Sequence, residues 1–317
     1  MTIPKARHPR GALFYAAYAA IFFIWGSSYL AIRVALEAFP PFLLAGARFF
    51  IAGVILLLIA RSAGAAWPTA QEWWHASKLG ALLFLGSYGA LFWAEKHIAS
   101  GTAAVVYATM QLWVLLLETL VLKTRRMQRR MWLGAAAGLA GVGVLSSHSQ
   151  QSSDLLGIGL VLLAAVLWAI GAVWTPRLDL PHSKPVSAAL QMLTGGAMLL
   201  VPAFVLRDTQ KVAWFALSLR PLAGFAFLVV FASLLAFTSY VWLIKREPLS
   251  KVASYAYVNP VIAVLVGHFL GAEPLTVRTL VGSGLVVVAV FSVMWQGHAP
   301  ATARTTPSQI ETAAESS

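Results

Sequence analysis

Residues 155–174 read LLGIGLVLLAAVLWAIGAVW, a run without a single charged side chain. A helix of roughly 20 apolar residues crosses a hydrocarbon core of about 30 Å, whereas a membrane barrel strand alternates apolar and polar residues over about 10 positions. The run is apolar on every side and therefore indicates a transmembrane helix. Similar stretches recur along the chain and predict an all-α membrane protein with ten transmembrane helices, near residues 12–33, 42–60, 79–94, 99–121, 131–146, 155–175, 187–206, 222–244, 252–270 and 276–295.

The composition of the chain agrees with a membrane protein. Hydrophobic residues make up 59% of the sequence and charged residues 11%, and the mean hydropathy is +0.77. A soluble domain of this composition would expose large apolar patches to water. The sequence contains no cysteine, which excludes disulfides and thiolate metal sites.

The net charge of +12 is explained by where the basic residues lie. If the N-terminus is inside, 16 of the 23 Lys and Arg side chains fall on the inner side, six fall on the outer side, and Arg48 lies within a span. This bias follows the positive-inside rule and predicts that both termini are cytoplasmic. The basic run over 123–130 therefore indicates either a topology determinant or contact with anionic membrane lipid, and nucleic acid is not expected as a partner.

Weak internal similarity suggests two halves of five spans each. An odd number of spans per half would insert the second half upside down and produce an inverted repeat. The predicted units are 12–146 and 155–295, followed by a disordered cytoplasmic tail at 296–317. One constant offset, here called the first offset, aligns Trp25 with Trp168, Arg48 with Gln191 and Gly53 with Gly196. A slightly larger one, the second offset, aligns Tyr107 with Tyr255, Gln111 with Asn259 and Gly134 with Gly282.

The aligned polar and aromatic residues are the candidate substrate-binding groups. Tyr107 and Gln111 lie four positions apart and so share a helical face, and Tyr255 and Asn259 repeat that spacing. These pairs either line a central wet cavity or form hydrogen bonds between packed helices. The full candidate set is Arg48, Tyr107, Gln111, Tyr255 and Asn259, with Trp25 and Trp168 as additional aromatic contacts.

Arg48 and the two mid-span tryptophans each have a second interpretation. Because a membrane-embedded Arg costs about 2.5–3.5 kcal/mol on insertion scales, Arg48 either snorkels to the outer surface or forms a cation on the cavity wall that meets a carboxylate. Trp25 and Trp168 either offer π faces to a substrate or serve helix packing.

Three further features complete the sequence predictions. Glu118 is the acidic candidate for proton exchange within a span, or else forms a local ion pair. Glu95, Lys96 and His97 are expected to be solvated in an outer turn. The spacing of Gly134 and Gly138 allows close helix contact, either within the chain or in a homodimer.

Three stretches resemble the EamA exporters of the drug/metabolite transporter superfamily. IWGSSYLAIRVALEAFPPFLLAGARF (24–49) is similar to the first two spans of that repeat, and SYAYVNPVIAVLVGHFLGAEPL (254–275) is similar to its fourth-span motif, with SGTAAVVYATMQLW (100–113) as the first-half counterpart. Leu112 stands where the second copy has Pro260, and Arg125 stands where it has Glu273. The fourth span is therefore expected to be straighter than the ninth.

The resemblance implies a ten-helix inverted repeat that works by alternating access in the bacterial inner membrane, with the fifth and tenth spans contributing least to the cavity. It implies a secondary transporter that exports small metabolites, amino acids or drug-like amphipathic solutes and is not an enzyme. Neither a cofactor nor a metal is expected, and no nucleotide-binding or hydrolase motif occurs. The alternatives are an intramembrane enzyme that acts on a lipid or polyprenyl-phosphate substrate through Arg48, and a scaffold that transports nothing.

Overall fold

The computed structural model describes residues 11–123, 129–146, 152–247 and 249–294, and all secondary structure in them is helical. Residues 124–128 of the predicted basic run and the predicted tail at 296–317 lie outside the described residues. The helices are α1 (Ala12–Ala35), α2 (Pro41–Ser62), α3 (70–94), α4 (Ser100–Val121), α5 (Arg129–Ser146), α6 (Ser152–Trp174), α7 (Lys184–Val205), α8 (Leu219–Ile244), α9 (Tyr255–Gly271) and α10 (Val277–Met294). A one-turn helix, Leu249–Val252, precedes α9.

Within the described residues, six of these helices, α1, α2, α4, α6, α7 and α8, are long and apolar enough to cross a membrane. Shorter apolar helices cover Trp132–Ser146, Tyr255–Gly271 and Val277–Ser292. An all-helical membrane protein is therefore confirmed. The count of ten spans and the cytoplasmic side of the termini stay predictions.

Helix α3 begins well before its predicted start at residue 79, and local capping explains the difference. The side chain of Thr69 accepts a hydrogen bond from the backbone N–H of Glu72, and the Glu72 carboxylate accepts one from the backbone N–H of Thr69. Such a capping box satisfies free N–H groups at a helix start. The polar segment 70–78 is consequently a helical extension of the apolar span.

Four helices contain π-helical segments, at Ala20–Ile24, Gly80–Tyr88, Leu117–Val121 and Phe227–Leu235. The two longest lie in α3 and α8. In a π-helix the hydrogen bonds join residues five apart and not four apart, which widens the turn, and such segments often occur at functional sites. In α8 the Ser233 hydroxyl donates to the Leu228 carbonyl at 2.9 Å.

The fourth span is interrupted in its middle. The α-helix stops at Ala108 and resumes at Met110, and the N–H and hydroxyl of Thr109 both donate to the Val106 carbonyl, at 3.2 and 2.7 Å. Helix α9, in contrast, is unbroken through Pro260. The hydrogen-bond pattern is thus interrupted in the fourth span and continuous in the ninth, and the relative straightness of the two spans stays a prediction.

Helices α2 and α7 pack side by side with their backbones in contact. A β-carbon added to Gly196 would lie 2.5 Å from the backbone nitrogen of Phe50, and one added to Gly53 would lie 2.8 Å from the backbone nitrogen of Leu193. The first offset relates Gly53 to Gly196 and also relates Phe50 to Leu193. The two contacts are therefore reciprocal under that offset.

Helices α5 and α10 show the same reciprocity under the second offset. A β-carbon on Gly141 would lie 2.9 Å from the Val286 side chain, and one on Gly138 would lie 3.3 Å from the β-carbon of Ala289. The second offset relates Gly138 to Val286 and Gly141 to Ala289. The small residues of α5 thus serve packing within the chain, and a homodimer stays a prediction.

Candidate functional site

A cavity of about 280 Å³ lies among eight of the ten helices. Helices α1, α2, α3, α4, α6, α7, α8 and α9 contribute side chains to it, and among the described residues α5 and α10 contribute none. This agrees with the expectation that the fifth and tenth spans contribute least. Ligand pockets usually measure about 300–1,000 Å³, so the cavity suits one small solute.

Six of the seven candidate residues line this cavity, and Gln111 is the exception. The six are Trp25, Arg48, Tyr107, Trp168, Tyr255 and Asn259. Met110 lines the cavity in place of Gln111. The Thr109 turn explains the difference, because a tight turn with hydrogen bonds of the 3₁₀ type advances fewer residues per revolution than an α-helix. Four positions on from Tyr107, the chain therefore no longer presents the same face.

Arg48 is buried in the protein interior and does not snorkel to the outer surface. Its side chain is 5% exposed, and its Nε donates to the Ser233 hydroxyl at 3.0 Å. The guanidinium lies 4.7 Å from the centroid of the Phe49 ring and 5.8 Å from that of Phe92. Its Nη1 is buried and has no hydrogen-bond partner among the described residues. A buried donor of this kind is costly unless an acceptor meets it, so this position can bind an anionic group.

One wall of the cavity is an aromatic cluster around Trp25. The Trp25 ring meets the Tyr255 ring edge to face at 4.9 Å and lies 5.7 Å from the Tyr240 ring. Its indole N–H donates at 3.0 Å to the carbonyl of Ala232, which lies within the π-helical segment of α8. The segment therefore supplies an acceptor that holds the tryptophan against the cavity.

A second aromatic wall surrounds Tyr107. Its hydroxyl shares a hydrogen bond of 3.0 Å with Ser87, and its ring lies 6.5 Å from that of Tyr88. The Tyr88 ring in turn lies 4.7 Å from the Phe49 ring, beside Arg48. The cavity thus has one buried cation between two aromatic surfaces.

Asn259 both lines the cavity and connects two helices. The Asn259 amide nitrogen faces two backbone carbonyls. It donates to that of Tyr255 at 3.3 Å and to that of Phe22 at 3.1 Å. Phe22 belongs to the π-helical segment of α1. Of the two interpretations given for Asn259, the structure therefore shows both a cavity position and an interhelical bond.

The sequence predictions missed several cavity residues, of which some had a usable signal. Tyr29 follows Trp25 by four positions and so shares its helical face. Gln191 is the counterpart of Arg48 under the first offset. The missed polar or aromatic lining residues include Ser28, Tyr29, Tyr88, Gln191, Ser233 and Tyr240.

Glu95 lies in an environment that differs from the one expected for it, whereas the role of Glu118 stays a prediction. Glu118 does not line the cavity. Lys96 and His97 are exposed as predicted, whereas Glu95 is only 2% exposed. The prediction that Glu95 is solvated is therefore wrong.

Glu273, two residues after the end of α9, is buried at the start of α4 and has several partners there. Its carboxylate accepts hydrogen bonds from the backbone N–H groups of Ser100 at 2.8 Å and Gly101 at 3.1 Å, and pairs with Arg33 at 2.9 Å. The start of α4 is thereby capped by a residue from the other half of the chain.

Glu95 has no such partners. Both of its carboxylate oxygens are buried, and neither has a hydrogen-bond partner among the described residues. Burial raises the pKa of Glu95 well above its ordinary value, and the negative charge of Glu273 raises it further. The positive charges of Arg33 and Arg48 act in the opposite direction.

Comparisons with known proteins agree with this architecture. The EamA-like transporter family matches residues 11–147 and 155–295. The chain is 36% identical to the uncharacterized inner membrane transporter YedA of Escherichia coli (strain K12), over 89% of each chain. It is 28% identical to protein PecM of Dickeya dadantii (strain 3937), over 86% of this chain and 87% of that one. A crystal structure with 20% identity matches 90% of this chain and 98% of its own with a TM-score of 0.60, which shows a shared fold.

Proposed function

Because the chain belongs to the EamA-like transporter family, we propose that it is a secondary transporter that exports small metabolites, amino acids or drug-like amphipathic solutes by alternating access. The family and its named members are transporters and not enzymes, so the alternative of an intramembrane enzyme is set aside. The name of YedA places that relative in the inner membrane. We extend the same location, as a multi-pass protein of the bacterial inner membrane, to this chain.

The buried Arg48 between two aromatic walls is the observation that carries the proposal. Its Nη1 lacks an acceptor among the described residues, and the rings of Trp25, Tyr88 and Tyr255 surround the same cavity. A flat or apolar solute with a carboxylate would stack on the rings and accept hydrogen bonds from the guanidinium. The favoured substrate is therefore a small amphipathic anion or zwitterion.

The reciprocal helix contacts support alternating access by an inverted repeat. Two oppositely oriented copies can exchange conformations, which opens a central site first to one side and then to the other. The contact of Gly53 with Leu193 has its counterpart in that of Gly196 with Phe50, as a two-fold axis requires. The proposed units, 12–146 and 155–295, meet along α2–α7 and α5–α10.

Flux through sealed proteoliposomes tests the proposed function. The panel contains radiolabelled aromatic amino acids, an aromatic carboxylate, an aromatic amine and an aliphatic carboxylate of similar size. We expect Arg48→Gln to reduce carboxylate flux by about 10- to 100-fold, since hydrogen bonds to charged groups contribute about 1.5–3 kcal/mol. Arg220→Gln is the matched control, because Arg220 is 65% exposed and pairs with Glu37 at the surface.

Two results would contradict the proposal. If every solute of the panel crosses no faster than in protein-free vesicles, the protein does not transport these solutes and the proposal is wrong for them. Carboxylate flux that is equal in Arg48→Gln and wild type would remove Arg48 from the site. Partial recovery of flux in Arg48→Lys is expected, because a lysine retains the charge but not the forked donors.

A further inference from the structure

We infer that Glu95 is the proton-binding residue of this transporter and that Arg48 links the proton to an anionic solute. The inference rests on the proposed function for its coupling role, and on the geometry of the turn between α3 and α4 for the proton site itself. Neither Glu95 nor Glu118 lines the cavity. Glu95 is chosen because it is buried and its carboxylate oxygens have no hydrogen-bond partner among the described residues.

The environment of Glu95 favours a neutral carboxyl group. It follows the last residue of α3 in a turn whose next two residues, Lys96 and His97, point to the surface. Glu95 itself is 2% exposed, and no N–H or O–H group among the described residues donates to it. An ionised carboxylate buried without donors is strongly unfavourable, whereas the protonated acid is much less so.

Other parts of the chain place further charges around this carboxyl group. Helix α6 packs on the turn, where a β-carbon on Gly157 would lie 2.7 Å from the Ile98 side chain, and Asp154 lies one turn from that glycine. The ionisable groups that interact electrostatically with Glu95 from other elements are Tyr29 and Arg33 of α1, Arg48 of α2, and Glu273 after α9.

Of the two arginines, Arg48 is the one that lines the cavity and has a buried donor without a partner among the described residues. Arg33 is paired with Glu273 at 2.9 Å, and the same Glu273 carboxylate also takes two backbone N–H groups. Arg48 lines the cavity, and its Nη1 is buried there without a partner. Because Arg48 also interacts electrostatically with Glu95, the charge of Glu95 and a solute bound in the cavity would both act on it.

Charge balance then sets the sign of the coupling. With Glu95 ionised, its charge offsets that of Arg48, and an anionic solute would add an unbalanced negative charge to a buried site. With Glu95 protonated, the solute anion balances Arg48. Binding one anion therefore favours uptake of one proton from solvent, which forms the O–H bond on Glu95 that breaks again on release. Proton and anion then cross the membrane together, in the direction set by the sum of their two gradients, so that export requires an outward gradient of the solute larger than the inward gradient of the proton.

Infrared difference spectroscopy tests the proton site without any solute. The full-length protein in lipid nanodiscs is titrated from acid to alkaline pH, and the carbonyl stretch of protonated carboxyl groups is followed. We expect a protonated carboxyl that persists at neutral pH in wild type and in the matched control Glu118→Gln, and that is absent in Glu95→Gln. If wild type has no such band, or if Glu95→Gln retains it, Glu95 is not the proton site.

The coupling is tested with indole-3-acetate as an aromatic monoanion. We expect its affinity for wild type to fall by up to about tenfold per pH unit once the pH exceeds the pKa of Glu95, as for one linked proton. In Glu95→Gln the affinity should stay at the low-pH value throughout. An unchanged pH dependence in that variant would overturn the coupling. Lack of binding to wild type at every pH would instead count against the proposed anion site, and the infrared result would still decide the proton site.

Discussion

The contact between α2 and α7 leads to a quantitative prediction for Gly196→Ala. The new β-carbon would lie 2.5 Å from the backbone nitrogen of Phe50, whereas ordinary contacts begin at 3.4 Å. The overlap is with backbone, which cannot rotate away as a side chain could, so the two helices must separate. Overpacking typically costs about 1–3 kcal/mol. At about 2–4 °C per kcal/mol, we expect the melting temperature to fall by roughly 2–12 °C.

Tryptophan fluorescence during heating in detergent measures this loss, and it needs no thiol dye in a chain without cysteine. Gly159→Ala is the matched control, because nothing lies within 4 Å of a β-carbon at that position. Gly53→Ala should cost about as much as Gly196→Ala. The double variant should lose less than the sum, since the first substitution already opens the shared crossing. The reasoning is refuted if Gly196→Ala melts at the same temperature as wild type. It is also refuted if the loss of melting temperature in the double variant equals the sum of the two single losses.

Three further predictions concern the site and its surroundings. Glu273→Gln should destabilise the fold by about 1.5–3 kcal/mol because the buried carboxylate loses charged hydrogen bonds, whereas Glu37→Gln at an exposed pair should cost under about 1 kcal/mol; equal melting temperatures would contradict this. A cysteine at Met110 should react with a polar methanethiosulfonate and be protected by a transported solute, and a cysteine at Gln111 should not be protected. The pKa of Glu95 is raised in the folded state, so above the ordinary value of 4.5 the unfolded state ionises first and the wild-type protein loses stability as pH rises. Glu95→Gln lacks this loss, and its melting temperature relative to wild type should therefore increase with pH.

Much of the cavity could be predicted from the sequence because helical spacing and repeat offset act over long, regular segments. The first offset alone pairs Trp25 with Trp168, and both line the cavity. Arg48 could be recognised as a candidate because a charged side chain inside an apolar span is costly and usually has a function. Its buried state, however, depends on partners such as Ser233 that lie far away in sequence.

The differences between prediction and structure at Gln111, Glu95 and the start of α3 have local or tertiary causes, which the hydrophobic periodicity of the sequence does not report. Gln111 leaves the cavity face because Thr109 tightens one turn of α4. Glu95 is polar and lies in a turn, which favours exposure, but it is only 2% exposed, and α6 packs on the same turn. The early start of α3 depends on the Thr69–Glu72 cap, whereas hydropathy registers only its apolar part.

The reciprocal glycine contacts also restrict how the two halves of the gene can diverge. A side chain added at Gly53 would meet the backbone nitrogen of Leu193, and one added at Gly196 would meet that of Phe50, so a smaller side chain at Leu193 or Phe50 would not make room for it. At the α2–α7 crossing, the backbone of each half therefore restricts one position of the other half to glycine. In a library of random variants, both positions should therefore stay glycine, and a substitution at one should make a substitution at the other less harmful because the crossing has already widened.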